Sequence, residues 1–146
     1  ASLLEPSAGS GQLLKAYKRR HGQLPAECVA IEIQEKRRAE LISLGVSVTI
    51  DDFLKVRLNP RFSLVLMNPP FARQADIDHV LHAFSMLEEA GRLVAIMSPG
   101  WTFRDNAKSV SFREIVEQHG TFEEIPEGAF KESGTGIRTV LVTLRK

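Results

Sequence analysis

The chain has 146 residues, 43% of them apolar and 25% charged, with a formal net charge of +1. That size and balance fit one globular domain that needs no metal staple, and the lone Cys28 excludes an internal disulfide and any four-cysteine zinc site. A charge so near neutral excludes a strongly polycationic grip on nucleic acid, although not a local basic patch.

No apolar run reaches the roughly 18 residues of a membrane span and no signal peptide opens the chain, so the expected location is the cytoplasm. In chain order, short apolar runs alternate with helical patterns. Residues 2–4 read as the end of a buried strand. Residues 12–20 read as a helix with Leu13, Leu14 and Tyr17 on one face and Lys15, Lys18 and Arg19 off it. A second strand spans 28–31, and a helix over 34–44 packs Ala39, Leu41, Ile42 and Leu44 before Gly45 stops it. Strands follow at 46–50 and 62–67, the latter closed by Pro69 and Pro70, which cannot continue a central strand. A longer helix over 76–90 carries Ile77, Val80, Leu81, Phe84 and Leu87 at helical spacing and ends at Gly91. A strand at 93–97, a helix at 109–118 and a last strand at 138–144 complete the pattern, the last preceded by the turn-rich Ser133-Gly134-Thr135-Gly136.

This alternation predicts an α/β fold. A mostly parallel sheet is covered by helices on both faces, with the last strand antiparallel in a hairpin at the edge. In such sheets ligands bind beyond the carboxyl ends of the strands, where the strand order reverses. The loops that follow the strands are therefore the candidate sites.

Glu5-Pro6-Ser7-Ala8-Gly9-Ser10-Gly11 joins the first strand to the first helix. Gly9 and Gly11 permit a tight turn and close ligand approach, and the helix start offers unpaired amides. Taken alone, the segment is equally a plain strand-to-helix turn. It is no phosphate loop, because no Lys-Ser/Thr pair follows, and a poor dinucleotide fingerprint, because Leu14 stands at the third glycine position. Glu32, 21 residues beyond Gly11, ends the second strand, where a carboxylate can accept both ribose hydroxyls of a nucleoside. Asp51-Asp52-Phe53 ends the third strand. One carboxylate there can take an adenine amino group while Phe53 packs on the ring; a helix cap or Asx turn is the plainer reading. Three acidic groups at three successive strand ends suit an adenosine with a cationic amino-acid tail, which Glu5 would face. That describes S-adenosylmethionine better than a pyrophosphate cofactor.

Asn68-Pro69-Pro70-Phe71, after the fourth strand, is the most specific feature. The prolines stiffen the segment. The Asn68 side-chain oxygen and the Pro69 carbonyl can both accept from one exocyclic amino group, holding it and favouring electron density on its nitrogen. Phe71 can stack on the base. The plainer reading is an Asn-Pro turn capping a strand, with Phe71 in the core.

At this point the sequence resembles the S-adenosylmethionine-dependent amino-group methyltransferases of nucleic acids, particularly DNA adenine-N6 methyltransferases. Leu4 through Gly11 looks like their cofactor loop, Ala30-Ile31-Glu32-Ile33 like their ribose-binding strand end, and Asp52-Phe53 like their adenine-binding pair. Asn68-Pro69-Pro70-Phe71 is similar to their catalytic tetrapeptide, residues 91–96 to their fifth strand, and Gly128-Ala129-Phe130 through Val142 to their closing hairpin. The resemblance implies a Rossmann-like class I methyltransferase core, seven-stranded with an antiparallel last strand, as a single domain over residues 1–146. The implied cofactor-binding residues are Glu5, Pro6, Ser7, Ala8, Gly9, Gly11, Glu32, Ile33, Asp52, Phe53 and Asn68; the implied catalytic residues are Asn68, Pro69, Pro70 and Phe71. Implied too are direct methyl transfer to the N6 of an adenine flipped out of DNA, S-adenosyl-L-methionine as cofactor, no metal and no membrane partner. The family's helix before the first strand and its target-recognition region are missing from the chain, which starts at Ala1 rather than Met. It is therefore expected to be a piece of a longer protein and to hold the cofactor weakly. An RNA methyltransferase acting on guanine N2 or adenine N6, or a non-catalytic cofactor-binding subunit of a modification complex, is the alternative.

Other residues carry weaker expectations. Cys28, inside a strand, belongs to the core. Asp76 caps the next helix, and His79 is a partly buried surface residue that could touch substrate. Trp101, in the rim segment Pro99-Gly100-Trp101-Thr102-Phe103-Arg104, either stacks on nucleic acid or covers the core. Lys15, Lys18, Arg19, Arg20, Lys36, Arg37 and Arg38 read as solvated helix faces or phosphate contacts, as do Lys131 and Arg138 near the last hairpin.

Overall fold

The computed structural model describes residues 1–59, 61–126 and 138–146; Gly128-Ala129-Phe130, Lys131 and Ser133-Gly134-Thr135-Gly136 lie outside the described residues. The elements run β1 (Ser2–Glu5), α1 (Gln12–His21), β2 (Glu27–Glu32), α2 (Arg38–Ile42), β3 (Ser47–Ile50), β4 (Phe62–Met67), α3 (Ala75–Phe84), β5 (Leu87–Met97), α4 (Ala107–His119), β6 (Gly120–Ile125) and β7 (Thr139–Arg145). The seven strands form one sheet in the order β3-β2-β1-β4-β5-β7-β6. β1 to β5 pair parallel, and β7 pairs antiparallel with both β5 and β6. This is the fold of S-adenosylmethionine-dependent class I methyltransferases. The closing hairpin stands at the sheet edge as expected, but β6 is the outermost strand and β7 lies inside it.

Each parallel strand sends alternate side chains to opposite faces, and the two faces hold separate cores. Leu3, Cys28 and Ala30 pack with Leu14 of α1, Leu41 of α2 and Val46. Leu4, Ile31, Val65 and Met67 pack on the other face with Ile77, Val80 and Ala83 of α3 and with Phe112 and Val116 of α4. Cys28 is core as expected, 5% exposed, and burial first and then the Glu5 charge push its thiol up to about 11.

Three sequence expectations change. The helix expected over 76–90 stops at Phe84. Ser85 and Met86 turn, and the Met86 carbonyl accepts from the Arg61 and Phe62 amides at 3.2 Å each, which draws Leu87 into pairing with β4. Gly91 is thus not a helix stop. It sits in the irregular stretch of β5, where a Cβ would come 2.8 Å from the Glu88 carbonyl oxygen and 2.9 Å from that of Phe62. The helix over 34–44 shrinks to a 3-10 turn at Glu35–Arg37 followed by α2, and of its expected core residues only Leu41 is buried, while Ile42 is 53% exposed. β6 has no period-two apolar pattern, because as an edge strand it exposes most of its residues; of the seven strands it is the one the residues alone did not indicate.

Candidate functional site

The chain order reverses between β1 and β4, so the loops leaving these strands flank one crevice. After β1, Glu5 is buried and its Oε2 accepts the Ser7 amide at 2.6 Å. The Ala8 amide donates to the Ile31 carbonyl at 3.0 Å, and the Gly9 amide donates to Glu32 Oε1 at 2.9 Å. Glu32 Oε2 accepts the Gln34 amide at 2.7 Å. Glu32 therefore already fastens the glycine loop to the end of β2, with one further lone pair on each oxygen for a ligand. Gly11 has φ 87, and a Cβ there would stand 2.6 Å from the Leu44 side chain, a contact that the flexible Leu44 side chain could relieve, so it is the positive φ that favours glycine at this start of α1.

After β3, Asp51 and Asp52 take up the local roles that the plainer sequence reading allowed. Asp51 Oδ1 accepts the Asp52 amide at 2.7 Å, and Asp52 Oδ1 accepts the Leu54 amide at 3.0 Å. Phe53 is buried but keeps a surface on the crevice, its ring 5.7 Å from His79 and 4.7 Å from His82. The crevice is a cleft of about 340 Å³ lined by Pro6, Ser7, Glu32, Ile33, Asp51, Asp52, Phe53, Leu54, Pro70 and His79. Six of the residues expected to bind cofactor thus meet in one place, joined by Pro70 of the tetrapeptide. Glu5 lies beneath them, while Ala8, Gly9 and Gly11 supply the loop backbone.

Asn68 and Phe71 are half-buried beside the cleft, Pro69 is buried and Pro70 exposed. Among the described residues the Asn68 side chain has no hydrogen-bond partner, which leaves its amide available. Directly after Phe71 the backbone is strained: Arg73 and Gln74 take φ 56 and 60, costly for non-glycine residues by roughly 1–3 kcal/mol each. Gln74 is held there because its Nε2 donates to the buried Ser109 Oγ at 2.8 Å and its Oε1 accepts Asn106 Nδ2 at 2.8 Å. This clamp ties the tetrapeptide loop to the start of α4, and no sequence period signals it.

Asp76 is not a helix cap. It is 1% exposed; Oδ1 accepts the Ile77 amide at 3.1 Å and Oδ2 the Ser98 amide at 3.0 Å, so it staples α3 to the end of β5. Burial raises its pKa against the lowering effect of those amides. Asp76→Ala is expected to cost about 2–3 kcal/mol, because it strands an interior amide; an unchanged denaturant midpoint would contradict this.

His79 is partly buried, as expected, and lines the cleft. Its Nδ1 is buried with no partner among the described residues, and burial lowers its pKa despite the opposing charge of Asp52. The signal for its position at the cleft was its place one turn into the helix that follows the tetrapeptide. Trp101 covers the core: it is 1% exposed and edge-on to Phe112 and Phe122. Arg38 and Arg37 pair with Glu35 and Glu40 on an exposed face. Arg138 pairs with Glu124 at 2.7 Å. Among the described residues no group of three or more His, Cys, Asp or Glu is arranged to hold a metal ion, and no helix is long and apolar enough to cross a membrane.

No family model matches the sequence, and no curated protein matches it. Solved structures do. The chain is similar, at 23% identity and a TM-score of 0.82, to the methyltransferase subunit of a type I restriction-modification system from Streptococcus thermophilus, with 99% of this chain covering 39% of that one. A structure of a type I restriction-modification system, described for its complex assembly and conformational transition, matches at 18% identity and a TM-score of 0.76, again over 99% of this chain and 38% of the other. A geranyl diphosphate methyltransferase in complex with S-adenosylmethionine matches at 14% identity and a TM-score of 0.63, over 99% of this chain and 77% of that one. The chain thus spans about two-fifths of the length of the first two. A fold shared with the third does not choose a substrate; the residues of the site must do that.

Proposed function

We propose that this chain is the catalytic core of an S-adenosylmethionine-dependent methyltransferase acting on the exocyclic amino group of a nucleic-acid base, N6 of adenine in DNA. The observation that carries this reading is the position of Asn68-Pro69-Pro70-Phe71. The tetrapeptide leaves β4 at the reversal point of the sheet, its Asn68 amide has no partner among the described residues, and its Pro70 lines the cleft.

The cleft fits the cofactor. The remaining lone pairs of Glu32 could accept ribose hydroxyls, Asp52 and Phe53 would offer an acceptor and an apolar face to an adenine, and the buried Glu5 stands beneath the loop where a cationic tail would lie. When bound, S-adenosylmethionine supplies an electrophilic methyl group. The chain's own part is positioning. Asn68 Oδ1 and the Pro69 carbonyl accept the two N–H bonds of the target amino group, turning its nitrogen lone pair out of the ring, and Phe71 stacks on the base. The target nitrogen would gain the methyl as the sulfonium S–CH3 bond breaks, its electron pair staying on sulfur, and the proton the nitrogen then sheds would pass to water.

The sheet face that carries α1 and α2 leaves Leu64, Leu66, Val94 and Leu141 only half-buried, which supports our placing there the helix expected before β1. DNA as partner, and target recognition by a separate region, belong to the same proposal.

The test is transfer of radiolabelled methyl from S-adenosylmethionine to DNA, RNA or protein, using protein that carries the flanking sequence, followed by nucleoside analysis. N6-methyladenine in DNA is the expected product. Methylation of RNA or protein alone would overturn the DNA reading, and tight cofactor binding with no transfer to any acceptor would favour a non-catalytic subunit.

A further inference from the structure

A second cleft, about 470 Å³, opens on the same rim of the sheet and is lined by Arg73, Gln74, Phe103, Arg104, Asp105 and Asn106. One wall is the strained turn that directly follows Phe71. The other is the segment leaving β5, the strand that neighbours β4. The two walls are fixed to each other by the hydrogen bonds of Gln74 with Asn106 and Ser109, so the cleft is a built feature rather than a gap between loose loops.

Its chemistry is specific. Phe103 is 68% exposed, in contrast to the neighbouring Trp101, which is packed away. Arg73 and Arg104 are exposed, and among the described residues neither has a carboxylate within salt-bridge distance. The Arg104 guanidinium lies back over Gly100, where a Cβ would come 2.9 Å from its Cζ. The lining holds two guanidinium groups and one carboxylate, Asp105. An exposed aromatic ring sharing one cleft with two guanidinium groups suits a strand of stacked bases on a phosphate backbone.

We propose that this cleft holds the nucleic-acid strand next to the target base, with Phe103 stacking on a neighbouring base and Arg73 and Arg104 meeting phosphates. The proposal rests on the nucleic-acid reading of the site, and it adds a surface that none of the cofactor or tetrapeptide residues supplies. The rigid clamp then gives the strand and the tetrapeptide a common frame. A base displaced into the site and its neighbour held outside it are positioned by one loop.

The test is equilibrium binding of a fluorescent single-stranded oligodeoxynucleotide, adenine-containing, by anisotropy over a salt series and without cofactor. Phe103→Ala, at an exposed position that should not disturb folding, is expected to weaken binding about 5-fold or more, as loss of one stacked base does. Arg73→Ala and Arg104→Ala should each lower the slope of log affinity against log salt by about 0.7. Affinity of S-adenosylhomocysteine, measured separately, should not change in any of the three. Absence of wild-type binding, or binding by Phe103→Ala equal to wild type, would overturn the proposal. Because this assay needs no methyl transfer, it separates from the function test: a Phe103 effect in a protein that methylates no nucleic acid would leave the strand site standing and remove the base-methylation reading.

Discussion

Asn68→Ala is expected to reduce methyl transfer about 100-fold or more while leaving cofactor affinity within about 2-fold. The estimate follows from what the side chain can do. Removing one preorganised hydrogen-bonding group that acts on the reacting atoms costs roughly 10²–10³ in rate. The cofactor cleft keeps its shape, because it is lined from β1, β2, β3, Pro70 and α3 rather than by the Asn68 amide. The substitution also leaves no interior partner unpaired, since the Asn68 side chain bonds to no other described residue. Isothermal titration for affinity and single-turnover methylation for rate separate the two. Equal losses in both would make Asn68 a support of the cofactor loop, and the role of the tetrapeptide would have to be reassigned.

Glu5→Gln is expected to stabilise the chain increasingly as pH rises. Burial pushes the Glu5 carboxyl up to about 8, with the Ser7 amide opposing and the Glu32 charge adding to the rise. Between the ordinary carboxylate range and about pH 8 the folded chain keeps a proton that the unfolded chain releases. Native stability therefore falls with rising pH through that window and levels off above it. Glutamine keeps an oxygen for the Ser7 amide and never ionises. The variant's advantage should be near zero at pH 4, grow through neutrality and flatten above pH 8, reaching at most ~5 kcal/mol. Urea unfolding at pH 4, 6 and 9 measures it; a pH-independent difference would show that Glu5 is not the buried acid described. The same group predicts a change in ligand linkage. A cationic tail beside Glu5 draws off its proton, so cofactor binding by wild type near pH 7 should release a proton that the glutamine variant does not.

The parallel core was legible because its strands are buried on both faces and therefore read as unbroken apolar runs, and because the loops after β1 and β4 carry unusual residues. What could not be read depends on partners distant in sequence. Leu87 fits the helical period of Ile77, Val80 and Phe84, yet pairing with Phe62 takes it into the sheet. Ile42 fits an apolar stripe but faces away from the sheet. β6 is a strand because β7 pairs with it, not because its own residues demand it. At the site, the residue types Glu5, Glu32, Asp52 and Phe53 were visible. That Glu32 first holds Gly9 and Gln34, that Asp76 reaches Ser98, and that Gln74 is pinned by Ser109 were not, since backbone amides carry no signature in the sequence.

β1 pairs with β2 on one side and with β4 on the other, and Ser2 exchanges hydrogen bonds with Ser63, 61 residues away. During synthesis β1, β2 and β3 can assemble with α1 and α2 as soon as they emerge, and the future centre of the sheet then spends that interval as an exposed edge. Such an edge is buried on completion but open to other chains before it. Delivery of β4 covers that edge but opens its own, which waits for β5, and the β5 edge waits in turn for β7, so the exposed edge moves outward until the closing hairpin forms. Slowed elongation at any point between β3 and β7 is therefore expected to increase aggregation, and a delay placed after β7 is not.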